Sequence, residues 1–209
     1  MIDTDIEHDA EAEAAEREKA LKEEIYNAYE AAMESGSVDD VKSVYERYGG
    51  DGGYALAAMA ARAPSVDVLR YVVDELDADP YYCDGLPLCT ASHHGHMQNV
   101  LYLIEEKAAD WKEKNERAFR WAVDGGQIEV MQYFLKKGAD TEKLDAHLQE
   151  WSYQRGDDAP NYYWMKSRHP EAYQWYQDFK ENRVKNHHRS KQSATRQWAR
   201  NRKRNMPGV

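Results

Sequence analysis

Five residues of metal-binding or nucleophilic type fall within fourteen positions: Cys83, Cys89, His93, His94 and His96. Zinc takes thiolate and imidazole ligands that converge tetrahedrally, in pairs a few residues apart. The spacing permits that loosely. It equally suits structural duty, with Cys89 at the inward position of a short helix, His96 at a turn, and His93 and His94 on a helix end. We read it in the second way and assign no metal and no cofactor. The run Asp74-Glu-Leu-Asp-Ala-Asp-Pro80 also offers carboxylates, but it lacks the alternating ligands and following glutamate of a calcium loop. There is no Gly-x-Ser-x-Gly, phosphate loop, dinucleotide fingerprint or His-Glu-x-x-His. No two carboxylates pair in an evident cleft, so the chain is read as non-catalytic.

Cys89, His93, His94 and His96 sit inside the first of two tandem copies of one pattern, which lie between Asp84 and Asp140. The first copy runs Gly85-Leu-Pro-Leu-Cys-Thr-Ala-Ser-His-His-Gly-His-Met-Gln-Asn-Val-Leu-Tyr-Leu-Ile104. The second runs Ala118-Phe-Arg-Trp-Ala-Val-Asp-Gly-Gly-Gln-Ile-Glu-Val-Met-Gln-Tyr-Phe-Leu-Lys-Lys-Gly-Ala-Asp140. Each predicts a short apolar helix, a glycine turn and a longer helix with apolar residues at three- and four-residue spacing. Aligned on Gly95 and Gly126 the copies are 31 residues apart. Self-similarity at such a period belongs to stacked repeat proteins.

The first helix opens Leu86-Pro87-Leu88-Cys89, the turn reads Gly95-His96, and the copies close on Lys107-Ala-Ala-Asp110 and Lys137-Gly-Ala-Asp140. This resembles the ankyrin repeat, whose first helix opens Thr-Pro-Leu-His, whose turn is Gly-His and whose second helix closes on Gly-Ala-Asp. Cys89 stands where that family has histidine. The register extends upstream through Leu56 to Ala63 with Val66 to Val73, and through Ile25 to Ser35 with Val38 to Tyr48. Downstream, Leu148 to Gly156 places Trp151 on Trp121. Turns then fall at Gly36, about Pro64, Gly95, Gly126 and Gly156. The expected fold is an all-α, ankyrin-like helical solenoid of about four to five repeats over residues 24–158, its outer repeats worn because terminal repeats face water.

In the family, loop tips and first helices form a concave surface that grips another protein without chemistry. Carried over by position, the resemblance implies a protein-binding surface of Tyr81, Tyr82, Asp84, His93, His94, Trp111, Arg120, Trp121 and Asp124. Trp121 could also pack between repeats.

Composition is compatible with this reading. The chain is 42% apolar and 32% charged, enough for a thin continuous core. Two cysteines argue against a disulfide scaffold and suit a reducing compartment. No apolar run is long enough to span a membrane, and an acidic N-terminus is unlike a secretory signal. A cytoplasmic protein is expected.

The net charge of −10 conceals a polarity. Residues 1–34 carry 12 acidic and 3 basic side chains, a net of −9, whereas residues 183–209 carry 9 Lys and Arg and no acid. The acidic extension, residues 1–23, is expected to lack structure up to about Asp9 and then to form an exposed helix, supported by Glu18 and Lys22 at i,i+4. Tyr48 to Tyr54 reads as a flexible glycine link. Residues 159–182 are aromatic, with Ala172, Trp175, Tyr176 and Phe179 on one face of a helix that begins at Pro170, and are read as a cap on the stack.

Residues 183–209, a basic tail without an apolar stripe, are expected to be helical at most in part. Their Arg183, Lys185, Arg189, Lys191, Arg196, Arg200, Arg202, Lys203 and Arg204, with Trp198 able to stack on a base, support an alternative reading as a nucleic-acid-associated protein. Arg200-Asn-Arg-Lys-Arg204 would also serve nuclear import in a eukaryotic host. A further alternative is an acidic decoy of a nucleic-acid-binding enzyme, of the viral or bacterial effector type. The leading reading is a protein-protein interaction scaffold or adaptor.

Overall fold

The computed structural model describes residues 3–50, 55–145 and 162–204. The expected repeat at Leu148 to Gly156, the break at Asp157 to Pro160 and the centre of the glycine link at 51–54 lie outside the described residues. The chain divides into two compact units, Met1–His147 and Leu148–Val209.

The first unit is a set of helix pairs. Helix α1, Asp3–Ser35, and α2, Val38–Tyr48, form the first. The second is α3, Leu56–Ala60, with α4, Val66–Arg70, which continues as a π turn over Tyr71–Glu75. In the third, α5, Tyr82–His94, precedes α6, Met97–Leu101, again extended by a π turn over Tyr102–Glu106. Helix α7, Glu113–Asp124, and α8, Ile128–Lys136, complete the fourth, and a further helix starts at 141–145. Helix α5 packs on α3 and on α7, while α4 meets α6 and α6 meets α8. The first helices thus make one layer and the second helices another. Glycines 36, 95 and 126 turn the chain between the layers with φ of 71°, 77° and 67°, a region closed to most side chains.

The α1 helix starts at Asp3, ahead of where sequence periodicity begins. The expectation that the chain lacks structure up to about Asp9 is corrected, since helix covers those positions from Asp3 on. Its middle is exposed and carries the expected pair Lys22–Glu18 at 2.6 Å. Its last turns bury Tyr29, Ala32 and Met33, and the Tyr29 hydroxyl donates to the Gly49 carbonyl at 2.6 Å. The acidic extension and the first helix of the first repeat are therefore one helix.

The core lies between the layers. Val68, Leu69, Val72, Leu88, Val100, Leu103, Phe119, Val130 and Phe134 are all buried. Each stabilises the fold by about 1.5–3 kcal/mol relative to exposure. Alanines 57, 58, 60, 61 and 63 are buried too, and their small size lets α5 approach α3.

Adjacent repeats are stitched by polar contacts. Buried Asn99 donates to the carbonyls of Ala61 at 3.1 Å and Ala63 at 2.9 Å. On the outer helices Tyr71, Tyr102 and Tyr133 recur at a spacing of 31. The Tyr102 hydroxyl donates to Asp74 at 2.9 Å, and that of Tyr133 to Glu105 at 2.7 Å. Lys107 bridges to the same Asp74 and Lys137 to the same Glu105.

The second unit consists of α9, Tyr162–Arg168, packed on α10, Pro170–Arg204. Met165, Ala172 and Tyr176 are buried, and Trp175 stacks on Phe179 with ring centroids 5.7 Å apart. The expectation of partial helix beyond residue 183 is corrected here. Helix α10 crosses that position unbroken, because residues 171–204 hold no glycine or proline and are rich in strong helix formers.

Candidate protein-binding surface

From the second on, each repeat closes on an aspartate whose carboxylate accepts a backbone N–H two residues on. Asp79 takes that of Tyr81 at 2.8 Å, Asp110 that of Lys112 at 2.9 Å, and Asp140 that of Glu142 at 2.9 Å. This is the physical content of the Ala-Asp pair in the repeat: the side chain starts the turn that lifts the next loop tip.

At the Tyr81 tip the chain takes three consecutive left-handed residues, Cys83, Asp84 and Gly85, with φ of 48°, 57° and 79°. Two of these are not glycine, and L side chains resist that conformation. The cost is offset by Arg117, whose guanidinium donates to the carbonyls of Cys83 at 3.0 Å and Asp84 at 3.2 Å and to the Cys89 sulfur at 3.1 Å. Lys114 pairs with the Asp84 carboxylate at 3.1 Å. Gly85 N–H returns to the Tyr81 carbonyl at 2.9 Å, and the Tyr81 hydroxyl donates to the Lys107 carbonyl. On this fixed backbone Tyr81 is 49% exposed and Tyr82 38%. Beside Tyr82 opens a cleft of about 200 Å³ bordered by Tyr45, Leu56, Leu76, Asp77 and Asp79.

The next tip differs. Trp111 is half-buried and tilts onto Phe134 with centroids 5.7 Å apart, and Lys112 lies over its outer face. It divides its surface between core and loop tip. Lys114 and Glu116 repeat the left-handed turn, with φ of 48° and 61°, and buried Glu116 accepts the Asp140 N–H at 2.9 Å.

The remaining candidates gather at the far end of the inner helices. His93 meets Trp121 edge-on at 6.0 Å, and His94 stacks on His96 at 6.0 Å. His94 Nδ1 lies 2.9 Å from the Thr90 carbonyl, and burial pushes the His96 imidazole below its ordinary range. Burial also raises the Asp124 carboxyl to about 6, against the pull of Arg120. Arg120 reaches back along α7 to the Lys114 carbonyl at 3.0 Å.

The nine candidates therefore form a tip group of Tyr81, Tyr82, Asp84 and Trp111, and a helix-end group of His93, His94, Trp121 and Asp124, with Arg120 between them. Cys89 is buried in the core, and burial raises its thiol. Among the described residues no three His, Cys, Asp or Glu side chains converge to hold a metal ion. On α10, Arg183, Lys185 and Arg189 are exposed, and positions 191, 196, 198, 200, 202, 203 and 204 continue the same helix.

Arg117 was not among the candidates. Its signal lies in the alignment of the copies, where it replaces the apolar Leu86 at the opening of the inner helix.

Paired helices at a fixed period, joined by stitched turns and presenting exposed tips, define a helical-repeat scaffold. The family described as ankyrin repeats, in three copies, matches residues 28–145. The chain belongs to the ankyrin-repeat family, whose members generally serve as protein-protein interaction modules. No curated protein matches the chain. Among the described residues no helix is long and apolar enough to cross a membrane.

Proposed function

We propose that this chain is a non-catalytic scaffold or adaptor that holds a partner protein through its loop tips and inner-helix face. The observation that carries this reading is the Tyr81–Tyr82 tip, two exposed aromatics on a backbone pinned by Arg117, Lys114 and Asp79. Tyrosines give large contact area at low entropic cost and dominate binding hot spots. A tip already ordered loses little further freedom on binding. Trp111 and the helix-end group extend the contact along the inner face.

The test is affinity capture from native cell lysate under nuclease, read by mass spectrometry. Three baits are compared: the full chain, a chain ending at Asn182, and Tyr81→Ala with Tyr82→Ala. A partner held by the first two and lost by the third supports the reading. A partner indifferent to both tyrosines overturns it.

A further inference from the structure

The basic residues of α10 recur at a helical spacing. At about 100° per residue, positions 185, 189, 196, 200 and 203 of α10 fall within about 60° of one another. All five are Lys or Arg. Positions 191 and 202, also basic, lie on a second line about 130–140° away by the shorter path. The strip between the two lines carries His188, Gln192, Thr195 and Ala199, with no acid. From 183 to 204 the helix is about 30 Å long, close to one turn of duplex DNA.

An uncharged polar strip flanked by two basic lines suits a groove with phosphates on both walls. We propose that α10 is a second binding surface, separate from the repeats, that lies in the major groove of double-stranded DNA. Its basic lines meet the phosphates of the two strands, and its polar strip faces the base edges.

Other polyanions fit less well. A membrane-surface helix needs a broad apolar face, and from 183 to 204 the apolar residues are Val184, Ala194, Trp198 and Ala199 alone. Double-stranded RNA has a major groove too deep and narrow for such a helix. The acidic α1 matches the charge, but exposed ion pairs between helices without an apolar seam contribute little. Binding to a phosphate polymer is driven by counterion release and has no such weakness.

The test is fluorescence anisotropy of a labelled DNA duplex titrated with the full chain, from about 50 to about 200 mM salt. The expected slope of log K against log salt is about −5 or steeper. R189Q/R196Q/R200Q should flatten that slope by about 3 while circular dichroism stays helical. S193P keeps every charge but breaks the helix, and should weaken binding about tenfold or more. Several outcomes would overturn the proposal: absence of DNA binding at low salt, a slope unchanged in the triple variant, or S193P binding as tightly as the parent. Equal affinity for duplex RNA or for phosphatidylserine vesicles would do the same, as would a salt-labile association through α1 that excludes DNA.

Discussion

Gln127 donates its side-chain amide to the backbone carbonyl of His93, one repeat earlier, at 3.0 Å, and to that of Gly125 at 2.9 Å. His96 stands 31 positions before Gln127 and makes the equivalent bond to the Arg62 backbone, itself 31 positions before His93. In the third and fourth repeats the residue after the turn glycine thus ties its repeat to the one before. In the first two turns Ser37, after Gly36, and Ser65, after Pro64, fill that position and cap their own helices instead, accepting from the Asp40 and Asp67 backbone N–H groups.

This stitch needs close approach. A Cβ added at Gly125 would collide with the His93 carbonyl oxygen, a backbone atom that cannot swing aside. Gly125→Ala is expected to destabilise the chain by about 1–3 kcal/mol, read as a lower midpoint in urea denaturation. An unchanged midpoint would mean that the repeats do not stack as closely as described.

Much of this was legible in the sequence because each repeat is one unit copied. The 31-residue spacing of Gly95 and Gly126 located turns, inner helices and closing aspartates together. The candidate surface was legible only as a set of positions. Whether Trp111 stands in solvent or leans on Phe134 depends on a neighbour 23 residues away, which no local pattern encodes. The role of Arg117 was hidden for a similar reason, since it holds carbonyls of the preceding repeat. The helix of the tail has no apolar stripe to mark it, and rests on propensity alone.

Ala108 sits at φ 56°, where the next repeat has Gly138 at φ 97°. An alanine held in that region costs about 1–2 kcal/mol, and glycine returns part of the gain through unfolded-chain entropy. Ala108→Gly should therefore stabilise by about 0.5–1 kcal/mol. The same change at Asp77, also at φ 56°, should yield less, because aspartate tolerates the conformation better. Equal effects at both sites would argue that the strain is not backbone strain.

Burial raises the Asp124 carboxyl to about 6 in the folded chain, above its ordinary value of about 4. Between those values the folded state binds the proton more tightly than the unfolded state. The contribution is complete at low pH and is lost as pH rises from about 4 to about 6. Asp124→Asn should flatten that part of the stability profile and raise stability at neutral pH. Thermal unfolding across the range decides it, and a variant that keeps the full slope would assign the pH dependence to other groups.

Arg117 makes the most specific claim on the binding tip. Its planar fork reaches two carbonyls and a sulfur at once, which the single ammonium of lysine cannot reproduce. Arg117→Lys keeps the charge, so the acidic surroundings are unchanged while the left-handed run at Cys83 to Gly85 loses its clamp. Hydrogen exchange should then quicken at the Gly85 amide, whose bond to the Tyr81 carbonyl closes the tip, while amides in α6 and α8 stay as slow as in the parent. Partner binding should weaken although Tyr81 and Tyr82 remain. Unchanged exchange at Gly85 would show that Asp79 and Lys114 suffice to order the tip. Exchange that quickens throughout the repeats would make Arg117 a residue of global stability.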